Sequence, residues 1–144
     1  MGCDIHMCVE VRDDWDDPLK WQIAIGERGS YGQRNYVLFG VLAGVRCHDV
    51  PMIPDEPRGL PHDVTPETVA TLAGDHTPSW VTLEEIEKFN WDQYTNESIY
   101  GKDERTPLRE HCADFLDWVR ALKEYTDFDV IKPENIRFVF NFDS

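Results

Sequence analysis

The chain reads as a single α+β domain spanning residues 1–144: a small, mostly antiparallel sheet that includes the N- and C-terminal strands, packed by a long C-terminal helix and carrying a long Pro-rich loop. Three observations predict it. Both ends of the chain alternate polar and apolar side chains, residues 106–125 repeat apolar side chains at helical spacing, and residues 46–64 hold Pro51, Pro54, Pro57 and Pro61. A chain of 144 residues with 41% hydrophobic and 12% aromatic content is long enough for one ordinary core and too short for two.

The first strand sorts its chemistry by face. Ile5, Met7 and Val9 point one way, and Asp4, His6, Cys8 and Glu10 the other. Asp13, Asp14, Asp16 and Asp17, ending at Pro18, read as an exposed turn, and Trp21 to Ile25 resumes an extended pattern, so the two segments predict a hairpin. Asn35 then caps a helix carrying Tyr36, Leu38, Phe39, Leu42 and Val45, in which Gly40 and Gly44 point to close packing. After the Pro-rich loop, Thr65 with Pro66 starts a short helix to Leu72, and Thr82 with Glu85 forms a capping box for a helix over 83–89. Between these helices, residues 75–80 read as a turn. Thr106 as cap and Pro107 in the first turn open the long helix, whose stripe is Leu108, Cys112, Phe115, Val119 and Leu122. In the closing segment Phe138, Phe140 and Phe142 share one face and Arg137, Val139, Asn141 and Asp143 the other, the pattern of a central strand.

Charge narrows the function classes. Twenty-eight acids against 14 bases give a net charge of −14, which disfavours general nucleic-acid binding because phosphates must be neutralised by cations. No apolar run reaches the roughly 20 residues of a membrane span, and no basic segment followed by a long apolar one opens the chain. A cytoplasmic protein with four reduced thiols is the expectation. No phosphate-binding loop, dinucleotide fingerprint or nucleophile elbow is present.

Two constellations carry chemistry. Asp4 and His6, alternate residues roughly 7 Å apart along one strand face, suit a divalent metal, with His76 completing the set from its turn. In that arrangement Glu10 or Asp75 acts as general base of a metal-dependent hydrolase. The second constellation is cationic. Arg34, Arg46 and Arg58 flank the first helix, and guanidinium forks in so acidic a chain select phosphate or carboxylate oxygens. Gly59 lets backbone amides approach a ligand beside Arg58; Tyr36 and Trp80 offer stacking surfaces; His6, His76 and Ser79 offer hydrogen bonds. Cys47 with His48 and His111 with Cys112 lack the gap of a structural zinc knuckle, and Cys112 falls on the apolar stripe.

The stretches MGCDIHMCVE, RNYVLFGVLAGVR at 34–46, PRGLP at 57–61, HTPSWVTLEEI at 76–86 and the ending FVFNFD resemble a family of small, uncharacterised bacteriophage and prophage proteins. The resemblance spans nearly the whole chain and implies phage origin and a common fold, without an activity. Relatives tend to carry His where this chain has Cys8 and a His-Ser-x-Ser-Trp pattern at 76–80; with Cys8 as a ligand, a soft metal is favoured over a hard one. The leading expectation is a phage protein in the host cytoplasm that binds a small anionic molecule, a nucleotide or nucleotide-derived defence signal, between the first strand and the 46–80 loops. The hydrolase is the alternative, and a protein-binding inhibitor acting through its acidic surface a third. A homodimer is expected, although no sequence feature fixes an interface.

Overall fold

In the computed structural model, which describes residues 2–12, 20–95 and 106–144, four strands form one antiparallel sheet in the order β2-β1-β4-β3. The strands are β1 (Asp4–Arg12), β2 (Trp21–Ile25), β3 (His76–Thr82) and β4 (Ile136–Asp143). The two ends of the chain thus lie side by side at the centre. The acidic turn expected at 13–18 falls outside the described residues.

Alternation explains the sheet's two faces. Ile5, Met7 and Val9 of β1 register opposite Phe142, Phe140 and Phe138 of β4, and all six are buried. This apolar face is covered by α1 (Tyr36–Ala43), α3 (Leu83–Lys88) and α5 (Ala113–Tyr125). Phe39 meets Phe142 edge-on at 5.1 Å, and Phe115 and Trp118 meet Phe138 at 6.3 and 5.8 Å. Such aromatic contacts supply much of the apolar area removed from water.

The helix starts follow the local chemistry. The side chain of Asn35 accepts from the Leu38 amide to open α1, and Gly44, in the left-handed region at φ 68°, closes it two residues earlier than the apolar pattern suggests. Thr65 caps α2 (Pro66–Thr71), and Thr82 with Glu85 completes the expected capping box of α3. Among the described residues no helix is long and apolar enough to cross a membrane.

Two expectations need correction. The long C-terminal helix is broken into α4 (Leu108–His111) and α5, and Pro107 rather than Thr106 takes the cap position. The amides of Leu108 and Arg109 bond outward to the carbonyls of Gln93 and Trp91, and the Asn35 side chain takes the His111 carbonyl at 2.8 Å. The bonds of Leu108 and Arg109 satisfy first-turn amides that have no partner within the helix, and the Asn35 bond to the His111 carbonyl falls at the break after α4. The segment 76–80 is not a turn but the start of edge strand β3, where Pro78 costs no ladder bond on the open side. Thr77 adopts φ 50°, and the register slips between His76 and Ser79, a bulge.

The second face is polar and is covered by the loop ahead of α2 and by α2 itself. At its centre, Glu10 and Arg137 register opposite each other and are 0% and 3% exposed. Arg137 donates to Glu10 at 2.7 Å and to Asp63 at 2.8 Å. The other Glu10 oxygen accepts from the Thr65 amide at 3.0 Å and the Thr68 hydroxyl at 2.7 Å. Leaving one such charge unpaired is costly. Arg137→Met is expected to lower the unfolding free energy in urea by about 3–5 kcal/mol, and Glu10→Met added to it to recover part of that loss.

Gly40 packs α1 directly on the following loop: a Cβ there would lie 2.5 Å from the Cys47 carbonyl oxygen and 2.7 Å from a Val50 methyl. Gly40→Ala is expected to destabilise by about 1–3 kcal/mol through overpacking, despite alanine's higher helix propensity, as read from the shift of the thermal midpoint.

Candidate functional site

The polar row of β1 is consumed by the fold. Asp4 pairs with Arg34 at 2.6 Å; His6 lies between Glu27 and Asp143; Cys8 meets the Thr71 hydroxyl at 3.3 Å; Glu10 holds Arg137, Thr65 and Thr68. The expected pocket between β1 and the 46–80 loops is corrected accordingly, because side chains of that segment fill the face themselves. Glu10 is a buried structural anion, not a base open to substrate.

The metal set is not assembled either. His76 sits on β3, separated from β1 by β4, and its ring stacks on Phe142 at 6.1 Å while bonding Thr77 and Ser144. Phe142 belongs to the apolar face, whereas His6 belongs to the polar one, so the two imidazoles do not converge. Asp75 is exposed and its amide donates to the Phe142 carbonyl. Among the described residues no group of three or more His, Cys, Asp or Glu is arranged to hold a metal ion. The four cysteines are free and buried, and burial pushes the Cys112 thiol up to about 12 and raises that of Cys8, which keeps both protonated and poor ligands.

The cationic set is divided in two. On the β3 side, Arg58 donates to both oxygens of Glu85 at 2.8 and 2.5 Å and to the Trp80 carbonyl at 3.0 Å, with its guanidinium 4.7 Å from the Trp80 ring centre. Its amide donates to Ser79, which is buried, and Gly59 turns the chain at φ 75°. Arg58, Ser79 and Trp80 thus lock the Pro-rich loop onto the sheet edge. The capping-box glutamate was legible in the sequence; its second role as the partner of Arg58, 27 residues away, was not.

On the other side, Arg34, Asn35, Tyr36, Val37 and His111 line an open pocket of about 410 Å³ at the N-terminus of α1. The Tyr36 hydroxyl accepts from the Cys3 amide, its ring packs on Phe39, and the Arg46 guanidinium lies 5.5 Å from its centre. Arg34 is more than half exposed and is braced between Asp4 and Gly2, where a Cβ would meet its guanidinium. Arg34 holds Asp4 below the usual carboxylate range, and Asp4 in turn raises Arg34. Asn35 uses its oxygen on the Leu38 amide and its amide nitrogen on His111 and Asp114, so the side chain that lines the pocket also caps the first turn of α1. His111 entered the sequence reading only beside Cys112; its place at the pocket follows from the break after α4.

Fold and pocket together define a small α+β protein with an open cavity, edged by Arg34, at a helix start. No protein-family model, curated protein or solved structure matches the chain.

His6 has a chemistry of its own. Burial alone lowers its pKa, but the hydrogen bonds to Asp143 and Glu27, reinforced by their charges, outweigh burial and hold the imidazolium above its ordinary value of 6.5. A group whose folded pKa is raised adds stability that is complete below the unfolded value and is lost as pH rises through the folded one. His6→Gln is therefore expected to cost most at about pH 6 and progressively less towards about pH 9, measured by urea denaturation of both proteins across that range. An equal cost at both ends would show that charge does not hold the ring.

Proposed function

We propose that the protein binds a compact phosphate-bearing molecule, a nucleotide or nucleotide-derived signal, in the pocket at the start of α1. The observation that carries this reading is the convergence of Arg34, His111 and the N-terminal turn of an eight-residue helix on one open cavity, in a chain of net charge −14. Helix amides and a guanidinium fork suit phosphate oxygens. Arg46 over the Tyr36 ring adds a cation behind the pocket wall. In the phage setting implied by the sequence resemblance, the role that fits is sequestration of a host nucleotide messenger in the host cytoplasm.

Asp4 acts as a competitor for the guanidinium in this reading. The Asp4–Arg34 pair is exposed, and such pairs contribute little to stability, so an incoming phosphate displaces the carboxylate at small cost. Calorimetric titration with inorganic phosphate and with adenosine monophosphate is expected to give saturable binding that weakens at least about tenfold in Arg34→Ala and strengthens several-fold in Asp4→Asn. Arg58→Glu is expected to leave affinity unchanged, since Arg58 lies on the β3 side. Absence of saturation in the wild type, or unchanged binding in Arg34→Ala, overturns the assignment.

A further inference from the structure

We infer that His6 sets the anion affinity of the pocket at α1: with its proton the ring engages Asp143, and without it Asp143 is freed to join Asp4 in competing for Arg34. The inference rests on the phosphate reading of that pocket and adds its regulation. Asp4 and Asp143 register directly opposite each other on β1 and β4, a pairing that puts their Cβ atoms roughly 5 Å apart. Like charges so placed repel, and each carboxylate needs its own cation. Arg34 serves Asp4 through bonds of 2.6 and 3.3 Å, while His6 serves Asp143 at 2.5 Å and Glu27 through its other ring nitrogen. Three carboxylates therefore share two cations, one permanent and one that titrates.

Only the imidazolium donates from both nitrogens. A neutral ring keeps one proton, so either Asp143 or Glu27 loses its donor, and the cluster beside Arg34 becomes one charge more negative. These charges are felt across the cluster. Arg34 is held up first by its bond to Asp4 and further by the charge of Asp143, and Asp4 is held down first by Arg34 and further by the charge of His6. An anion that displaces Asp4 from Arg34 leaves that carboxylate two residues from His6 on the same strand face, where the imidazolium offsets it. Anion affinity is therefore complete while His6 is protonated and falls as pH rises through its folded pKa; by linkage, a bound anion raises that pKa. Other neighbours of the ring do not compete. Asn141, opposite His6 on β4, is neutral and bonds Gly74, and burial raises the Cys8 thiol, which stays neutral. His111 is a second imidazole, within the pocket itself, and mutation separates its effect.

The test is calorimetric titration of the full chain with sulfate, which stays dianionic from about pH 6 to about pH 9, at constant ionic strength. The expected result is saturable binding that is about three- to tenfold weaker at about pH 9 than at about pH 6. His111→Gln is expected to keep that fall even where it lowers the affinity itself. His6→Gln is expected to bind at about pH 6 as weakly as the wild type does at about pH 9. Asp143→Asn changes an exposed carboxylate and serves if His6→Gln perturbs folding; it is expected to narrow the fall to less than about twofold. By nitrogen NMR, saturating sulfate is expected to move the His6 titration to higher pH in the wild type and not in Arg34→Ala. Equal binding at both pH values, a fall that survives Asp143→Asn, or one that vanishes in His111→Gln overturns the coupling and leaves the pocket standing. Absence of saturation at either pH, with an unmoved His6 titration, removes the pocket and the coupling with it.

Discussion

The buried pair of Glu10 and Arg137 is the constraint on which the rest of this structure depends. Two charges at the centre of a sheet face are costly unless every lone pair and proton is used, and here Asp63, the Thr65 amide and the Thr68 hydroxyl complete the set. The pair fixes the register of β1 against β4, since a slip of one residue would move both charges to the apolar side. It also anchors the start of α2 and the end of the Pro-rich loop to the same point. Trp21 lies 3.9 Å and Trp80 6.0 Å from the Arg137 guanidinium, so the two outer strands are tied to the same charge.

The whole polar face follows this plan. Each side chain of the β1 row secures a different part of the chain: Asp4 the approach to α1, His6 the turn at Glu27 and the end of β4, Cys8 the end of α2, Glu10 its beginning. A row of potential ligands has become a row of anchors. The pocket at the start of α1 lies outside this row, and there Arg34 is more than half exposed.

The short helix α4 separates two open surfaces. His111 lines the pocket at α1, and Arg109, two residues earlier and so on another side of the helix, lines a groove between α3 and α5. The break at Cys112 that ends α4 is held by Asn35, which also caps α1. One asparagine side chain thus sets the start of one helix and the end of another.

Much of the fold was legible in the sequence because its signals are local. The alternation in β1 and β4, the caps at Asn35 and Thr65, and the box formed by Thr82 and Glu85 each act within a few residues, and α1, α2, α3 and the central strands stand where they predict. The break in the last helix, the bulged edge strand around Pro78 and the fate of the β1 row were not legible. They depend on partners distant in the chain, such as Glu10 with Arg137 across 127 residues and His6 with Asp143 across 137. By itself the sequence determined an α+β sheet built from its two ends, with one apolar and one polar face. Only the tertiary structure decided which polar groups are satisfied internally and which remain open to a ligand, because a buried charge takes whichever partner the packing brings within hydrogen-bond distance.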